Sequence, residues 1–267
     1  MRTNTLNMLL LLALLLLAPS TSPAVNSGTA DPAEVMREVR ERNAGADSSG
    51  HYLMKMYDAS GGSRRREVRI LYRDEGEIRK TIIRIESPAR ETGTSFLSYS
   101  YDELRDDDQW LYLPSLRRTR QIANQRRTGA FLGSDFTYAD MERFNVSDYQ
   151  FALLGEEQVS GRSTLKIEAV PYSHEIVAKV GYSRRILWVD ASIDMIIKEL
   201  NYDENGLPLR EIQTLELDVT SGIYAPALLR ATNLQEDTYT ELKLHSIEYD
   251  LGLDSSRFSR QMLQYLR

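Results

Sequence analysis

The sequence contains no cysteine and only three histidines, and these absences exclude several kinds of site at once. Without cysteine the chain can form no disulfide framework, thiol nucleophile, thiolate zinc site or iron–sulfur cluster. The histidines, His51, His174 and His245, are too far apart in sequence to suggest a local metal motif. The sequence therefore predicts neither a metal centre nor a cofactor.

The sequence also has fewer basic residues than acidic ones. The 267 residues include 33 Lys and Arg against 39 Asp and Glu, which gives a formal net charge of −6. Nucleic-acid-binding proteins usually carry a basic face, so this balance argues against a nucleic-acid partner. Hydrophobic residues at 42% and charged residues at 27% are typical of a globular chain rather than a disordered one.

One long apolar run lies near the start of the chain. Arg2 precedes an unbroken apolar stretch over residues 8–18, and Ser22 and Ala24 supply the small residues of a cleavage site. This is the three-part pattern of a secretory signal peptide. The run is shorter than the roughly 20 residues that a membrane-spanning helix needs, which disfavours the alternative of an uncleaved anchor. The sequence predicts a signal peptide over residues 1–24 and a mature protein without a transmembrane segment, exported to a bacterial periplasm.

Apolar and polar residues then alternate with a period of two over most of the chain. Ten or eleven strands are predicted between residues 51 and 250, many of them joined by short turn sequences. Helices are predicted at both ends, one beginning at Asp31 and one running from Asp254 to Leu266. The pattern indicates a mainly β protein with flanking helices, one domain over residues 25–267. Its large antiparallel sheet is expected to curl into a barrel or split into a sandwich.

Residues 114–144 interrupt this alternation. They are too many for a plain connection between strands, and segments of this length in compact domains are usually functional or disordered. Their aromatic side chains argue against disorder, because such residues tend to be buried. Two interpretations remain, a pair of short helices that covers one open end of the sheet or a lid over a cavity. They differ in whether space remains beneath the segment.

The same segment holds a dense basic run in an otherwise acidic chain, Arg117, Arg118, Arg120, Arg126 and Arg127. These arginines form either a solvated helix face or a surface that recognises anionic head groups or an acidic partner. The consistent use of arginine favours recognition, since lysine would be an equally good solubiliser. We take Arg117, Arg118 and Arg120 as the candidates for head-group or partner contact.

Two patterns could suggest chemistry, and neither supports it. Asp106, Asp107 and Asp108 lack the spacing and the turn glycine of a calcium loop. Ser134 does not lie in a Gly-x-Ser-x-Gly elbow, and no histidine can be assigned as its base. No catalytic residue is predicted, an enzyme is not expected, and an exported hydrolase ranks last among the alternatives.

A set of short motifs, densest between Ser87 and Met141, identifies a family. The motifs are Ser87-Pro88, Gly93-Thr94-Ser95-Phe96-Leu97, Asp108-Gln109-Trp110-Leu111-Tyr112-Leu113-Pro114, Arg117-Arg118, Arg120-Gln121-Ile122, Phe131, Gly133-Ser134-Asp135-Phe136-Thr137-Tyr138, Asp140-Met141, Trp188-Val189-Asp190 and Tyr202-Asp203-Glu204-Asn205-Gly206. Together they resemble the outer-membrane lipoprotein-sorting protein family, the LolA-like periplasmic carriers, in the branch associated with RND-type exporters.

The resemblance implies a half-open, strongly curved antiparallel sheet whose concave apolar face is covered by short lid helices and accepts lipid or acyl chains. It predicts a periplasmic carrier that shuttles a lipid or lipoprotein between envelope membranes or to an exporter. Its implied partners are an inner-membrane RND-type exporter, an outer-membrane acceptor, or both. The alternative is a non-enzymatic accessory or docking protein of an envelope export complex that holds no lipid.

Five aromatic residues are predicted to lie near the ligand or under the lid. They are Trp110, Tyr112, Phe131, Phe136 and Tyr138. Because side chains two residues apart on a strand point to the same side, Trp110 and Tyr112 are expected to share a face.

Overall fold

The computed structural model describes residues 30–101, 105–143 and 145–265. The predicted signal peptide and its cleavage site lie outside these residues, and so do Phe144 and Leu266. Within the described residues, no helix has both the length and the apolar character that crossing a membrane requires.

Thirteen strands of the described chain form one antiparallel sheet. They are β1 (Asp47–Tyr57), β2 (Ser63–Asp74), β3 (Arg79–Ser87), β4 (Ser95–Ser100), β5 (Asp108–Leu113), β6 (Arg118–Gln121), β7 (Tyr149–Val159), β8 (Arg162–Pro171), β9 (Arg184–Asp190), β10 (Met195–Tyr202), β11 (Pro208–Thr220), β12 (Ile223–Asn233) and β13 (Thr238–Tyr249). Their spatial order is β6-β5-β4-β3-β2-β1-β13-β12-β11-β10-β9-β8-β7. The sheet is therefore curved but unclosed, with β6 and β7 as its two edges and β1 paired to β13 at its centre.

The predicted mainly β fold on one large antiparallel sheet is confirmed, and the sheet has more strands than the ten or eleven expected. One of the extra strands, β6, lies inside residues 114–144, where short helices were expected. Single 3-10 turns occupy part of the rest of that segment, so the interpretation as a pair of helices is wrong. The four polar residues of β6 carry no apolar alternation, and their strand conformation comes from pairing with β5.

Two α-helices of the described residues flank the sheet, α1 (Pro32–Glu41) and α2 (His174–Val180). Helix α1 begins where the sequence predicts, because the Asp31 carboxylate accepts a hydrogen bond from the Ala33 N–H at 3.0 Å. Helix α2 was not predicted. It begins after Ser173, whose hydroxyl accepts from a backbone N–H of the first turn.

The helix expected from Asp254 onward is absent from the described residues, where residues 255–257 and 262–264 form single 3-10 turns. Phe258 and Leu263 are both fully buried against the sheet. They are five residues apart, a spacing that a straight helix does not place on one face, so the chain bends to bury both. Tertiary packing here overrides the local helical pattern.

Alternate side chains of the strands form two apolar faces. The inner face includes Met54, Val68, Ile83, Phe96, Ile167, Leu187 and Ala231. The outer face includes Leu71, Ile82, Leu97, Trp110, Ile186, Trp188 and Ile197. Helix α1 and residues 127–143, which we call the cover segment, pack on the inner face, and residues 253–263 pack on the outer face.

Candidate functional site

A cavity of about 320 Å³ lies between the cover segment and the inner face of the sheet. Most of its apolar wall comes from six strands and from the cover segment. These wall residues are Met54, Val68, Ile70, Ile83, Ile212, Leu229, Leu242, Phe131, Phe136 and Met141. A volume of this size and a mainly apolar lining are typical of sites that bind small apolar ligands. We call this space the inner cavity.

The aromatic residues of the cover segment pack edge to face on the sheet. The ring of Phe131 lies 5.1 Å from that of Phe96, with an angle of 83° between the planes. Tyr138 meets Phe131 in the same way at 5.3 Å and 77°. Such pairs stabilise by about 0.5–1.5 kcal/mol beyond the area they bury. The rings hold the cover segment against the sheet without filling the inner cavity.

Hydrogen bonds fasten the tip of the cover segment to β13. The Asp135 N–H donates to the Thr240 hydroxyl at 3.0 Å, and that hydroxyl donates to the Asp135 carboxylate at 2.6 Å. The Thr238 hydroxyl donates to the same carboxylate. The neighbouring Ser134 hydroxyl donates to the Phe131 carbonyl at 2.7 Å and closes a turn. Ser134 and Asp135 thus serve to anchor the cover segment.

Charged residues line one end of the inner cavity. Asp140 accepts a hydrogen bond from Arg210 at 2.7 Å, and burial raises the pKa of its carboxyl. Glu142 is paired with Arg127, and Lys179 lies 3.9 Å from its carboxylate. Burial raises the pKa of Glu142 to about 7, although both cations oppose the change.

A second polar group lies beside this end of the cavity, around Arg185 of β9. The Tyr149 and Tyr182 hydroxyls are 2.8 Å apart, and the Arg185 guanidinium lies 4.9 Å and 5.4 Å from the two ring centres. Cations at such distances are attracted to the faces of aromatic rings. Glu199 lies 3.5 Å from Arg185 and also lines the cavity. The inner cavity is therefore apolar along the sheet and charged at one end.

The structure separates the five aromatic residues predicted near a ligand. Phe131 and Phe136 line the inner cavity, and Tyr138 packs behind Phe131. Trp110 and Tyr112 lie together, as expected, but on the outer face with residues of the carboxyl-terminal turns.

The reason for this separation is the alternation along β5. Gln109 and Leu111 point to the inner face, where the Gln109 amide donates to the Tyr138 carbonyl at 2.9 Å. Trp110 must then point the other way.

The arginine run is divided as well. Arg118 and Arg120 lie on β6, exposed at the edge of the sheet, and Arg117 precedes them with a left-handed backbone, φ 48°. Arg126 is exposed too, in a 3-10 turn. Arg127 is buried, where it pairs with Glu142 and donates to the Asp107 carbonyl. The alternative of a solvated helix face is therefore wrong for these residues.

Sequence reasoning missed most of the charged end of the cavity. The missed residues are Asp140, Glu142, Tyr149, Lys179, Tyr182, Arg185, Glu199 and Arg210. They come from five separate stretches of chain that only the fold brings together. A weak signal was present in the cover segment, where Asp140 and Glu142 flank the apolar Met141 in a segment rich in buried aromatics.

Comparisons with known proteins place these features in context. A family model described only as that of an uncharacterized protein matches residues 77–265. A candidate outer membrane lipoprotein-sorting protein domain from Vibrio parahaemolyticus is 28% identical, with a TM-score of 0.79 over 87% of this chain and 97% of that one. No curated protein matches the chain significantly.

Two further solved structures share the fold at lower identity. A DUF1329 family protein from Desulfovibrio piger is 24% identical, with a TM-score of 0.80 over 87% of this chain and 97% of that one. A LolA superfamily protein from Nitrosomonas europaea is 18% identical, with a TM-score of 0.66 over 89% of this chain and 100% of that one. The fold is therefore LolA-like.

Proposed function

Since this chain belongs to the family whose model matches residues 77–265 and has the LolA-like fold, we propose that it carries a lipid or lipoprotein by its acyl chains. The acyl chains occupy the inner cavity. The signal peptide directs the protein to the periplasm, where it moves its cargo between envelope membranes or to an exporter. An inner-membrane RND-type exporter and an outer-membrane acceptor are the proposed partners.

The single observation that carries this proposal is the inner cavity itself. Leu229, Leu242 and Ile212 offer half-buried apolar surface inside it, and a carrier of hydrocarbon needs such surface. Each methylene moved from water into an apolar site gains roughly 0.8 kcal/mol, so ten methylenes gain on the order of 8 kcal/mol before the costs of ordering. Transport by this means requires no nucleophile and no cofactor.

The charged end of the cavity suits the polar part of such a cargo. Lys179, Arg143 and Arg185 line it together with Asp140 and Glu199, so both signs of charge are present. An acyl chain against the sheet would leave its head group at this end. Phe131 and Phe136 are the proposed aromatic contacts from the cover segment.

Release has to come from movement of the cover segment. A ligand shifts a conformational equilibrium only by its different affinity for the two states, so cargo leaves when a partner stabilises an open state. The attachments of Asp135 to Thr240 and of Asp140 to Arg210 are the ones that such a partner must loosen.

The alternative is an accessory protein of an envelope export complex that docks through exposed Arg117, Arg118 and Arg120 and holds no lipid. Native mass spectrometry and organic extraction of the purified protein separate the two. A phospholipid or another amphiphile in near-stoichiometric amount supports the carrier. Protein that is free of lipid and takes up no fluorescent fatty acid contradicts it.

A matched pair of variants tests the location. Leu229 faces the inner cavity, and its neighbour Leu228 on β12 faces the opposite way. Leu229→Trp fills the cavity with an apolar ring and should lower the affinity for a fluorescent fatty acid by at least tenfold. Leu228→Trp adds the same bulk outside and should leave that affinity unchanged. Equal effects of the two variants would contradict a site on the inner face.

A further inference from the structure

Strand β6 is an open edge of the sheet. Among the residues that the structure describes it pairs only with β5, on one side, and all four of its residues are exposed. The Ile122 N–H donates to the Gln109 carbonyl at 2.8 Å. Since hydrogen-bonded and non-bonded pairs alternate along two antiparallel strands, Ile122, Arg120 and Arg118 bond to β5, and the residues between them do not. Thr119 and Gln121 therefore direct their backbone N–H and C=O groups away from β5.

This edge is also positively charged. Arg118 and Arg120 are paired across the ladder with Leu113 and Leu111, so their side chains lie on the inner side of β6. Neither they nor Arg117 form an ion pair with any residue that the structure describes, although most other arginines of the described chain do. Arg117, Arg118 and Arg120 are arginines rather than lysines, which suits planar carboxylate recognition.

A groove of about 350 Å³ runs along the outer side of the same strand. It is lined by Trp110, Tyr112, Arg117, Thr119, Gln121 and Arg260, among others. The Arg260 guanidinium lies 5.4 Å from the centre of the Trp110 ring. Both rings are largely buried, with Trp110 7% and Tyr112 9% exposed, so a side chain that projects to the outer side of the edge is offered mainly Arg117, Thr119 and Gln121.

We propose that β6 binds an extended segment of a partner protein, which adds a strand to the sheet and carries acidic residues at alternate positions. In strand addition the backbone hydrogen bonds supply affinity and alternate side chains supply specificity. The acidic side chains meet Arg118 and Arg120 on the inner side. The residue between them is apolar and projects into the groove on the outer side, beside Thr119. This binding goes beyond the proposed function, and its test requires no lipid in the cavity.

An anionic membrane surface is the competing occupant, and the exposed backbone of β6 argues for the peptide. A lipid head group can pair with the arginines, but it cannot form hydrogen bonds with all the outward N–H and C=O groups of β6. An added strand can form these bonds. Charged side chains on an edge also prevent two copies from pairing edge to edge. That effect is compatible with docking of an oppositely charged strand.

The test uses an eight-residue peptide of alternating Glu and Val, the same peptide with Gln in place of Glu, and phosphatidylglycerol vesicles. The Glu peptide should bind, and the Gln peptide should bind at least tenfold more weakly. In hydrogen exchange of the wild-type protein, the amides of Thr119 and Gln121 should gain protection when the Glu peptide is added.

Two variants separate the contributions of charge and backbone. Arg118→Gln/Arg120→Gln should weaken binding of the Glu peptide by at least tenfold, whereas Arg65→Gln/Arg90→Gln, which removes the same charge elsewhere, should not. Thr119→Pro removes one outward N–H and keeps the bonds to β5. It should weaken binding of the Glu peptide by at least tenfold, as the double arginine variant does. Circular dichroism checks that each variant is folded.

Three results would overturn the proposal. They are equal binding of the Glu and Gln peptides, binding of the Glu peptide to Thr119→Pro as to the wild type, and binding of the vesicles without binding of either peptide. Uptake of a fluorescent fatty acid by the wild-type protein is measured separately, so failure here is distinguishable from failure of the carrier proposal.

Discussion

Arg210 of β11 donates a hydrogen bond at 2.7 Å to the carboxylate of Asp140 in the cover segment, and the two side chains are 9% and 13% exposed. The pair joins a segment near the middle of the chain to a strand that begins at residue 208. It is one of the links that hold the cover segment over the inner cavity. Burial raises the pKa of Asp140, so its charged form depends on Arg210.

Removing the charge of Asp140 should destabilise the protein, because Asp140→Asn keeps the shape of the side chain but leaves a nearly buried guanidinium without its carboxylate. Burial itself favours the neutral form of Asp140, which offsets part of that cost. We expect a net loss of about 1–3 kcal/mol in the free energy of unfolding, measured by urea denaturation. The double variant Asp140→Asn/Arg210→Met removes the stranded charge and should lose less than the sum of the two single variants. Additive losses would show that the pair is not coupled.

Stability should depend on pH through Glu142. Its pKa of about 7 in the folded protein is above its ordinary value of 4.5, because burial disfavours the carboxylate. Between those two values the unfolded chain releases a proton that the folded protein keeps, so ionisation of this group lowers stability as pH rises through that window. The free energy of unfolding of the wild type minus that of Glu142→Gln should fall by an amount on the order of 1–3 kcal/mol from pH 4.5 to pH 7.5.

Glu75 provides the control for this pH dependence. Although burial opposes it, hydrogen bonds from Lys80, Ser255 and Arg73 lower the pKa of Glu75 to about 2. Its contribution to stability is therefore present above pH 4.5 and is lost only as the pH falls towards 2. The difference between the wild type and Glu75→Gln should stay constant from pH 4.5 to 7.5. If the difference in free energy of unfolding between the wild type and Glu142→Gln also stays constant over this range, the raised pKa of Glu142 is contradicted.

The sequence predicts the sheet well because the evidence for strands is local. The Asn205-Gly206 turn between β10 and β11 and the cap at Asp31 both depend on neighbouring residues, and both are found where expected. Strand β6 could not be predicted in this way. Its sequence, Arg118-Thr119-Arg120-Gln121, has no apolar alternation, and the partner that makes it a strand is β5.

The candidate site was harder to predict than the fold for the same physical reason. Trp110 and Phe131 are both buried aromatics near the centre of the chain, and composition does not distinguish them. A shift of β5 by one residue would move each of its side chains to the other face, so the register of β5 determines that Trp110 lies on the outer face. Arg127 is likewise one of the five arginines within residues 117–127, and only the position of Glu142 makes it a buried structural residue.

The attachment at Thr240 should control how fast a ligand enters the inner cavity. Its hydroxyl is fully buried and bonds to both the N–H and the carboxylate of Asp135. Thr240→Val removes these bonds while keeping the shape, and hydrogen bonds to charged groups are worth about 1.5–3 kcal/mol. We expect uptake of a fluorescent fatty acid to become roughly tenfold faster in stopped-flow measurements. Thr232→Val, on β12, is the control, and an unchanged rate for Thr240→Val would show that the cover segment does not open at this edge.

The two faces of the sheet should respond differently to loss of apolar volume. Leu263 is fully buried on the outer face against the cluster that contains Trp110 and Tyr112. Leu263→Ala leaves a cavity there and should lower the free energy of unfolding by about 2–5 kcal/mol. Because the inner cavity lies across the sheet, affinity for a fluorescent fatty acid should remain within twofold of the wild type under native conditions. A large loss of affinity together with the loss of stability would mean that the outer cluster shapes the binding site, and the assignment of Trp110 and Tyr112 to a separate surface would then fail.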